Sequence, residues 1–543
     1  MQGLMMDWPL TLPSILEHAA LYHPNQQVVA RTVEGPIHRY GYAEALERTK
    51  RIAQALIDLG VKPGDRVATL AWSTHRHFEL YFAATGIGAV LHTINPRLHP
   101  DQVAWVANHA EDTILLYDIS FADLVAETHD RMATVKSFVA LTDRAHFPAN
   151  APDGTLVYEE LVASTAPIPA WPELDEKTAC GLCYTSGTTG NPKGVLYSHR
   201  STVLHAMALG LPDNFNFSAA DVILPCAQMY HANAWGTPYA APLVGAKLVL
   251  PGRALDGASV AELIESEKIT FVLGVPTIWV GVAEHLEQAG KALDCVKTIA
   301  IGGSAPTAAL IERIEGRLGG KVHQIWGMTE TSPLGVINKP LPQHAGEPAE
   351  VGAARKIKQG RGLYGVELRI VDETGHLLPR DGKSPGRLQV KGPWVAAAYF
   401  KHDGQASFTD DGWFDTGDIA TIDEEGYLRL TDRAKDVIKS GGEWISTLDL
   451  EDAVCSHPAV AMAAAVGMPH PKWDERPLLL VTLKAGQTAD PEELKAHVAA
   501  RVAKWWTPDE VRIVDALPIG PTGKVLKREL RDQLTTAPAV PAE

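Results

Sequence analysis

The sequence predicts an α/β fold: a large N-terminal domain of layered α/β sheets with a β-rich subdomain, plus a small C-terminal α+β domain. Three observations carry this expectation. Short apolar strand runs alternate with helix-spaced apolar patterns from Glu44 to Ile301. Short strands separated by turn signals follow, between Glu367 and Lys391. Beyond Asp432 the chain changes to a compact mixture of both element types. Apolar strands between helices imply layered sheets with parallel strands.

The elements follow in order. Leu46, Ala53, Leu56 and Leu59 recur at helical spacing between Glu44 and Leu59, and Gly60 is a stop signal. Val61-Lys62-Pro63-Gly64-Asp65 reads as a turn. Arg66 to Trp72 reads as a strand, and a helix is expected from His77. The same rhythm recurs in strands at Asp221–Leu224, Lys247–Leu250, Thr270–Val275 and Thr298–Ile301. Lys339 to Gly365, rich in Pro, Gly, Lys and Glu, is expected to be surface loop. Glu367–Val371 and Gly386–Lys391 read as strands, with a turn at Asp372-Glu373-Thr374-Gly375. Helices are expected at Leu448–Val454 and Pro491–Val502, and strands at Val460–Gly467 and Leu478–Leu483. Thr535 to Glu543 reads as a frayed tail.

The chain has 543 residues, of which 45% are hydrophobic and 21% charged, an ordinary globular composition. Length alone suggests three or four domains at roughly 150 residues each. The net charge of −16 argues against non-specific nucleic-acid binding and against an anionic membrane. Five cysteines, an odd number, make no disulfide framework. Cys180 and Cys183 form a C-x-x-C with no second pair, so a structural zinc is not expected. Two small apolar residues on a strand is a better reading of this pair than a redox motif. Met1 to Ala30 holds no Lys or Arg, unlike a secretory leader. The longest apolar run, Leu80 to Ile94, is interrupted by Thr85, Gly86, Gly88 and His92, too soon for a membrane span. A soluble cytoplasmic protein is expected.

The strongest local signal is Tyr184-Thr185-Ser186-Gly187-Thr188-Thr189-Gly190-Asn191-Pro192-Lys193-Gly194. Its glycines allow positive φ and close backbone approach. Successive amide N–H groups in such a loop cradle an anion, and the hydroxyls and Lys193 add donors. It is not a Walker A loop. The chain's Gly382-Lys383-Ser384 has Leu377 where that motif needs its first glycine.

YTSGTTGNPKGV resembles the phosphate-loop motif of the adenylate-forming superfamily. That superfamily includes acyl-CoA synthetases, peptide-synthetase adenylation domains and firefly-type luciferases. Four further motifs occur in the family's order: Trp326-Gly327-Met328-Thr329-Glu330, Gly412-Trp413-Phe414-Asp415-Thr416-Gly417-Asp418, the hinge-like run from Asp432 to Glu443, and Pro521-Thr522-Gly523-Lys524. Within it, the chain is similar to bacterial medium- and long-chain fatty acid–CoA ligases and to 3-methylmercaptopropionate–CoA ligases. This likeness rests on Leu91–Arg97, on His231-Ala232-Asn233-Ala234-Trp235 and on Ser440–Ser446.

The resemblance implies an acid–thiol ligase, an AMP-forming acyl-CoA synthetase. ATP and Mg2+ are its implied cofactors and coenzyme A its co-substrate, with a medium-chain fatty acid favoured as the acid. The alternative acid is 3-methylmercaptopropionate. By resemblance Lys524 bridges carboxylate and α-phosphate, Lys439 serves thioester formation, and Glu330 and Thr185 contact magnesium. Asp418 meets the ribose, Arg433 the ribose or a phosphate, and Trp326 and Met328 flank adenine beside Gly302, Gly303 and Ser304. Ser186, Gly187, Thr188, Thr189, Gly190, Lys193, Gly327, Thr329 and Lys435 complete the implied nucleotide site. His231 and Trp235, with Gly302 and Gly327, form the implied acyl site, and Trp235 gates it in related enzymes. Lys435, Glu443 and Trp444 change conformation as a small mobile C-terminal domain turns. The implied division is 1–431, a hinge at 432–437, and 438–543. A homodimer through the N-terminal domain is implied by the long-chain relatives.

Five positions depart from the family pattern, among them Ile519 and Pro521, which replace the more polar or basic residues often found before the lysine motif. Trp326 stands where many members have Tyr, which removes a phenolic hydrogen bond. Tyr230 and Ala232 replace the expected Phe and Val beside His231. For CoA, Lys472, Trp473 and Arg476 are candidates on charge and aromaticity. A luciferase-like oxygenase, a carrier-loading module and a non-catalytic adenylate binder are the rival classes.

Overall fold

A computed structural model describes residues 1, 3–185, 191–402, 405–433, 436–440, 443–520 and 525–536, with backbone alone at 405, 433, 443–444 and 535–536. Its framework is two large sheets and one small one. The first is seven-stranded and ends on Val90–Thr93, Ala179–Thr185 and Lys193–Ser198. Its strands are parallel until Lys193–Ser198, which turns back antiparallel on Ala179–Thr185.

The second sheet has thirteen strands. Its parallel part includes Val222–Pro225, Phe271–Gly274, Thr298–Ile301 and Lys321–Gly327. Leu334–Ile337 then folds back on Lys321–Gly327 and carries the sheet into its antiparallel half. Gly360–Gly362, Tyr427–Arg433, Phe414–Ile422, Gly386–Lys391 and Glu367–Val371 follow edge to edge. The β-rich part is therefore continuous with the α/β layer.

Helix His75–Gly86 is buried along its whole length, and its flanks pack on helices and strands of both large sheets. A helix covered on all sides needs no polar face. That accounts for the apolar run beginning at Leu80. No helix among the described residues is long and apolar enough to cross a membrane.

The last third holds a five-stranded sheet built on the hairpin Val460–His470 and Asp474–Leu483. Helices Thr447–Cys455 and Pro491–Ala499 cover one side of it, and Lys527–Thr536 packs on the hairpin as well. The expected helix to Val502 stops at Ala499. The chain passes into this region from Tyr427–Arg433, where Asp432 Oδ2 accepts from the Thr447 N–H at 2.7 Å.

Lys339 to Gly365 corrects the expectation of a surface loop. It contains the helix Ala349–Lys356 and the strand Gly360–Gly362. The helix has Glu350 in its first turn and Arg355 and Lys356 in its last, which suits the helix dipole. Its terminal carbonyls are capped from afar. Gln324 Nε2 donates to Lys356 O at 2.9 Å, and Asn338 Nδ2 to Arg355 O at 2.7 Å.

Cys180 and Cys183 lie on Ala179–Thr185, three positions apart and so on opposite faces of the strand. Cys180 faces Thr202 and Cys183 faces Thr93. Burial pushes the two thiols up to about 12 and about 11. Neither is a reactive thiolate near neutral pH.

Candidate active site

The turn between Ala179–Thr185 and Lys193–Ser198 carries the glycine-rich loop, and Thr185 and Lys193 close the ladder opposite each other. Ser186, Gly187, Thr188, Thr189 and Gly190 lie outside the described residues. The Lys193 ammonium stands 4.9 Å above the Tyr399 ring. The Tyr399 hydroxyl in turn donates to Glu330 Oε1 at 2.6 Å. A cation, an aromatic face and a carboxylate are thereby joined across three separate segments. Glu330 is 4% exposed. Its loop is held by Tyr197, whose hydroxyl donates to the Thr329 carbonyl at 2.8 Å.

Gly302 and Gly303 follow the strand Thr298–Ile301, with Gly303 at φ +87° and the Ser304 side exposed. Gly327 ends Lys321–Gly327, where any Cβ would run into the Pro333 carbonyl. Trp326 is buried, and Met328 is half-buried beside it. The Trp326 indole lies over Gly335, where a Cβ would come within 2.7 Å of the ring. Its Nε1 donates to Asp418 Oδ2 at 3.0 Å. The phenolic bond lost with Tyr is thus replaced by an indole N–H bond to the carboxylate. Asp418 is buried on Phe414–Ile422, its backbone opposite Arg433.

A hydrogen bond to a charged group contributes about 1.5–3 kcal/mol. Trp326→Phe keeps a stacking ring and removes this bond, so KM for ATP should rise roughly tenfold with kcat little changed. Steady-state kinetics with ATP varied checks this, and an unchanged KM would show that the bond does not orient Asp418 for ligand.

His231 and Trp235 flank an unusual turn. Ala232, Asn233, Ala234 and Trp235 all have left-handed φ, between 43° and 58°, and Gly236 follows at 74°. Each left-handed non-glycine residue costs roughly 1–2 kcal/mol, so the surrounding contacts must hold the turn. The Tyr81 hydroxyl donates to Asn233 Oδ1 at 3.2 Å, and Thr237 Oγ1 donates to Ala234 O at 2.7 Å. The Trp235 ring packs on Gly302, where a Cβ would lie 3.0 Å from Trp235 Cζ2. His231 is exposed at the surface and lines a cavity of about 20 Å³ together with Thr185, Tyr184 and His92. The structure therefore brings Thr185 next to His231, and Trp235 next to Gly302.

Lys439 is placed elsewhere. Its ammonium is 3.5 Å from Glu373 and its N–H donates to Glu475 Oε2 at 2.9 Å. Lys435 and Lys524 lie outside the described residues. Only the backbones of Arg433, Glu443 and Trp444 are described, and the last two pair with Ser440 and Lys439. Lys472 stacks on Trp473 at 4.7 Å. Arg476 is a structural tie, bonding Asp509, Trp505 O and Thr507 O at 2.8–2.9 Å. Sequence reasoning missed Tyr399, Tyr81 and Asn233 as supports. A lone aromatic in a loop carries no local sign of a partner nearly seventy residues away.

The family model for AMP-binding enzyme matches residues 16–400, and that for AMP-binding enzyme C-terminal domain matches residues 449–524. This chain belongs to the AMP-binding enzyme family. Within it the chain is an AMP-forming acyl-CoA ligase. The ligase is 47% identical over 533 residues to 3-methylmercaptopropionyl-CoA ligase of Ruegeria pomeroyi, spanning 98% of this chain and 99% of that one. It is also 47% identical over 536 residues to medium-chain-fatty-acid–CoA ligase of Ectopseudomonas oleovorans, spanning 98% and 97%. Among solved structures, ATP-bound MatB from Rhodopseudomonas palustris superposes with a TM-score of 0.82 at 26% identity, covering 97% of this chain and 99% of that one. The ligase therefore matches its relatives over nearly their whole length, C-terminal domain included.

Proposed function

We propose that this ligase activates a medium-chain fatty acid in two half-reactions at one site. In the first, a carboxylate oxygen forms a bond to the α-phosphorus of ATP, and the bond to the bridging oxygen breaks to release pyrophosphate. In the second, the CoA sulfur attacks the acyl carbonyl, and AMP leaves with the bond electrons. Both steps gather negative charge, so fixed cations and amide donors are the main catalytic resource.

The observation that carries this reading is the convergence of three segments: the hairpin ends Thr185 and Lys193, the run holding Trp326 and Glu330, and the strand carrying Asp418, with Tyr399 bridging Lys193 to Glu330. Asp418 accepts from the ribose hydroxyls, Trp326 and Met328 flank the base, and Lys193 and the loop amides take the phosphates. Glu330 and Thr185 offer hard oxygen donors of the kind magnesium prefers, and would hold it. Bound magnesium supplies charge neutralisation on the phosphates. Lys524 neutralises the carboxylate and α-phosphate as they meet. Rotation about residues 432–437 then exchanges Lys524 for Lys439, with Lys435, Glu443 and Trp444 changing partners. A cytoplasmic homodimer belongs to the same reading. Leu4, Met5, Met6 and Trp8 are exposed apolar side chains near the N-terminus, consistent with a partner surface there.

A second reading, a short thioether acid, is favoured by the 47% identity to 3-methylmercaptopropionyl-CoA ligase of Ruegeria pomeroyi. The test is CoA-dependent AMP release against acids of graded length, including 3-methylmercaptopropionate. Each methylene entering an apolar tunnel contributes about 0.8 kcal/mol, so kcat/KM should climb roughly fourfold per carbon until the tunnel is full. Turnover of the thioether acid with all medium chains inert would give the second reading. No AMP release with any acid would end both.

A further inference from the structure

His205 lies on the helix His199–Leu209 and is fully buried. Its Nε2 accepts from the Leu334 N–H at 3.3 Å. The Nδ1 edge faces Gly236, where a Cβ would lie 2.7 Å from Nδ1. Gly236 has φ +74°, so both its conformation and its neighbour require glycine. Trp394 stands edge-on to the His205 ring at 5.9 Å, and its Nε1 donates to the Leu334 carbonyl at 3.2 Å.

Leu334 is held at both ends of the residue, by His205 and by Trp394. It pairs with Gly327 and follows the loop that carries Glu330. The Ser332 hydroxyl ties that loop to Trp394 O at 2.7 Å. On its other side the ring abuts the left-handed turn that carries Trp235. Burial holds the imidazole down to about 3, so it stays neutral and Nε2 stays an acceptor.

We propose that His205 is a positioning residue that couples the two sides of the site, fixing the Trp235 turn against the Glu330 loop so that acid and ATP occupancy influence each other. This rests on the assignment of Trp235 and Glu330 given under the proposed function. Close packing makes such a contact two-state rather than elastic.

The test measures binding of the best acid of the graded series by calorimetry, with and without Mg2+ and α,β-methylene-ATP. Wild type should show a ratio of affinities of about fivefold or more. His205→Phe keeps the ring shape and removes the acceptor, and the ratio should fall to near one. His205→Gln presents Oε1 to the same N–H and should keep most of it. Should the Phe variant not fold, Gly236→Ala pushes on the ring from the turn and should also abolish the ratio. Coupling that persists in Phe or Ala, coupling absent from wild type, or equal loss in Phe and Gln would overturn the proposal. Glu330→Gln, assayed in parallel for pyrophosphate release, separates the two failures. If it is silent, the site assignment fails. If it is inactive while His205→Phe stays coupled, only this inference fails.

Discussion

Replacing Lys524 by alanine is expected to lower acid-dependent pyrophosphate release by about 10²–10³-fold, the size typical of losing one preorganised charge-stabilising group. The first half-reaction brings a carboxylate to an anionic phosphate, and no other lysine follows a Thr-Gly pair near the C-terminal end of the chain. The loss should be confined to that half. Given preformed acyl-adenylate and CoA, the variant should still release AMP at close to the wild-type rate, because thioester formation is assigned to the conformation served by Lys439. Two assays on one variant therefore decide the matter. Full retention of pyrophosphate release, or equal loss in both halves, would remove Lys524 from its assigned role.

Glu330→Gln should cost a similar factor, about 10²–10³-fold, for a separable reason. Glutamine keeps an oxygen where Oε1 accepts from the Tyr399 hydroxyl at 2.6 Å. The backbone bond from Ala396 N–H to Glu330 O, 2.8 Å long, is untouched. The loop should stay in place and the melting temperature should change little. What disappears is a negative charge and a hard oxygen ligand. A magnesium titration of pyrophosphate release should then show saturation displaced to higher metal concentration. If the Gln variant titrates like wild type, Glu330 serves only to anchor Tyr399.

Much of the fold was legible because the alternation of strand and helix patterns is local. Lys247–Leu250, Thr298–Ile301, Glu367–Val371 and Gly386–Lys391 were delimited correctly from their apolar runs and turn residues. The helix Ala349–Lys356 was not. Its segment reads as loop because no residue in it is buried and its composition is polar. What stabilises its end is Gln324, on the strand Lys321–Gly327, and Asn338, just past the strand Leu334–Ile337. A cap supplied across the sheet leaves no mark on the helix's own sequence.

The candidate site divides in the same way. Trp326, Glu330 and Asp418 stood out because each sits in a dense run of glycine and hydroxyl residues. Tyr399 did not, because its importance lies in standing between Lys193 and Glu330, which sit far away along the chain. The indole bond to Asp418 was also hidden. Sequence comparison shows a lost phenol, and only the geometry shows that the larger ring reaches the carboxylate with its own donor.

The thirteen-stranded sheet behaves as a stator. Gly302 follows one of its strands, Trp326 and Gly327 end the next, and Asp418 lies further along the same hydrogen-bonded ribbon. Shearing these residues apart would mean breaking ladder bonds in several strands together. In the proposed function these are the residues that grip the nucleotide, so the ladder predicts that their mutual spacing stays constant through a catalytic cycle. Any rotor has to lie after Tyr427–Arg433, the last strand the ribbon receives from the chain. A crosslink within the ribbon should be harmless to turnover, whereas one from the ribbon to the C-terminal sheet should stall it between half-reactions.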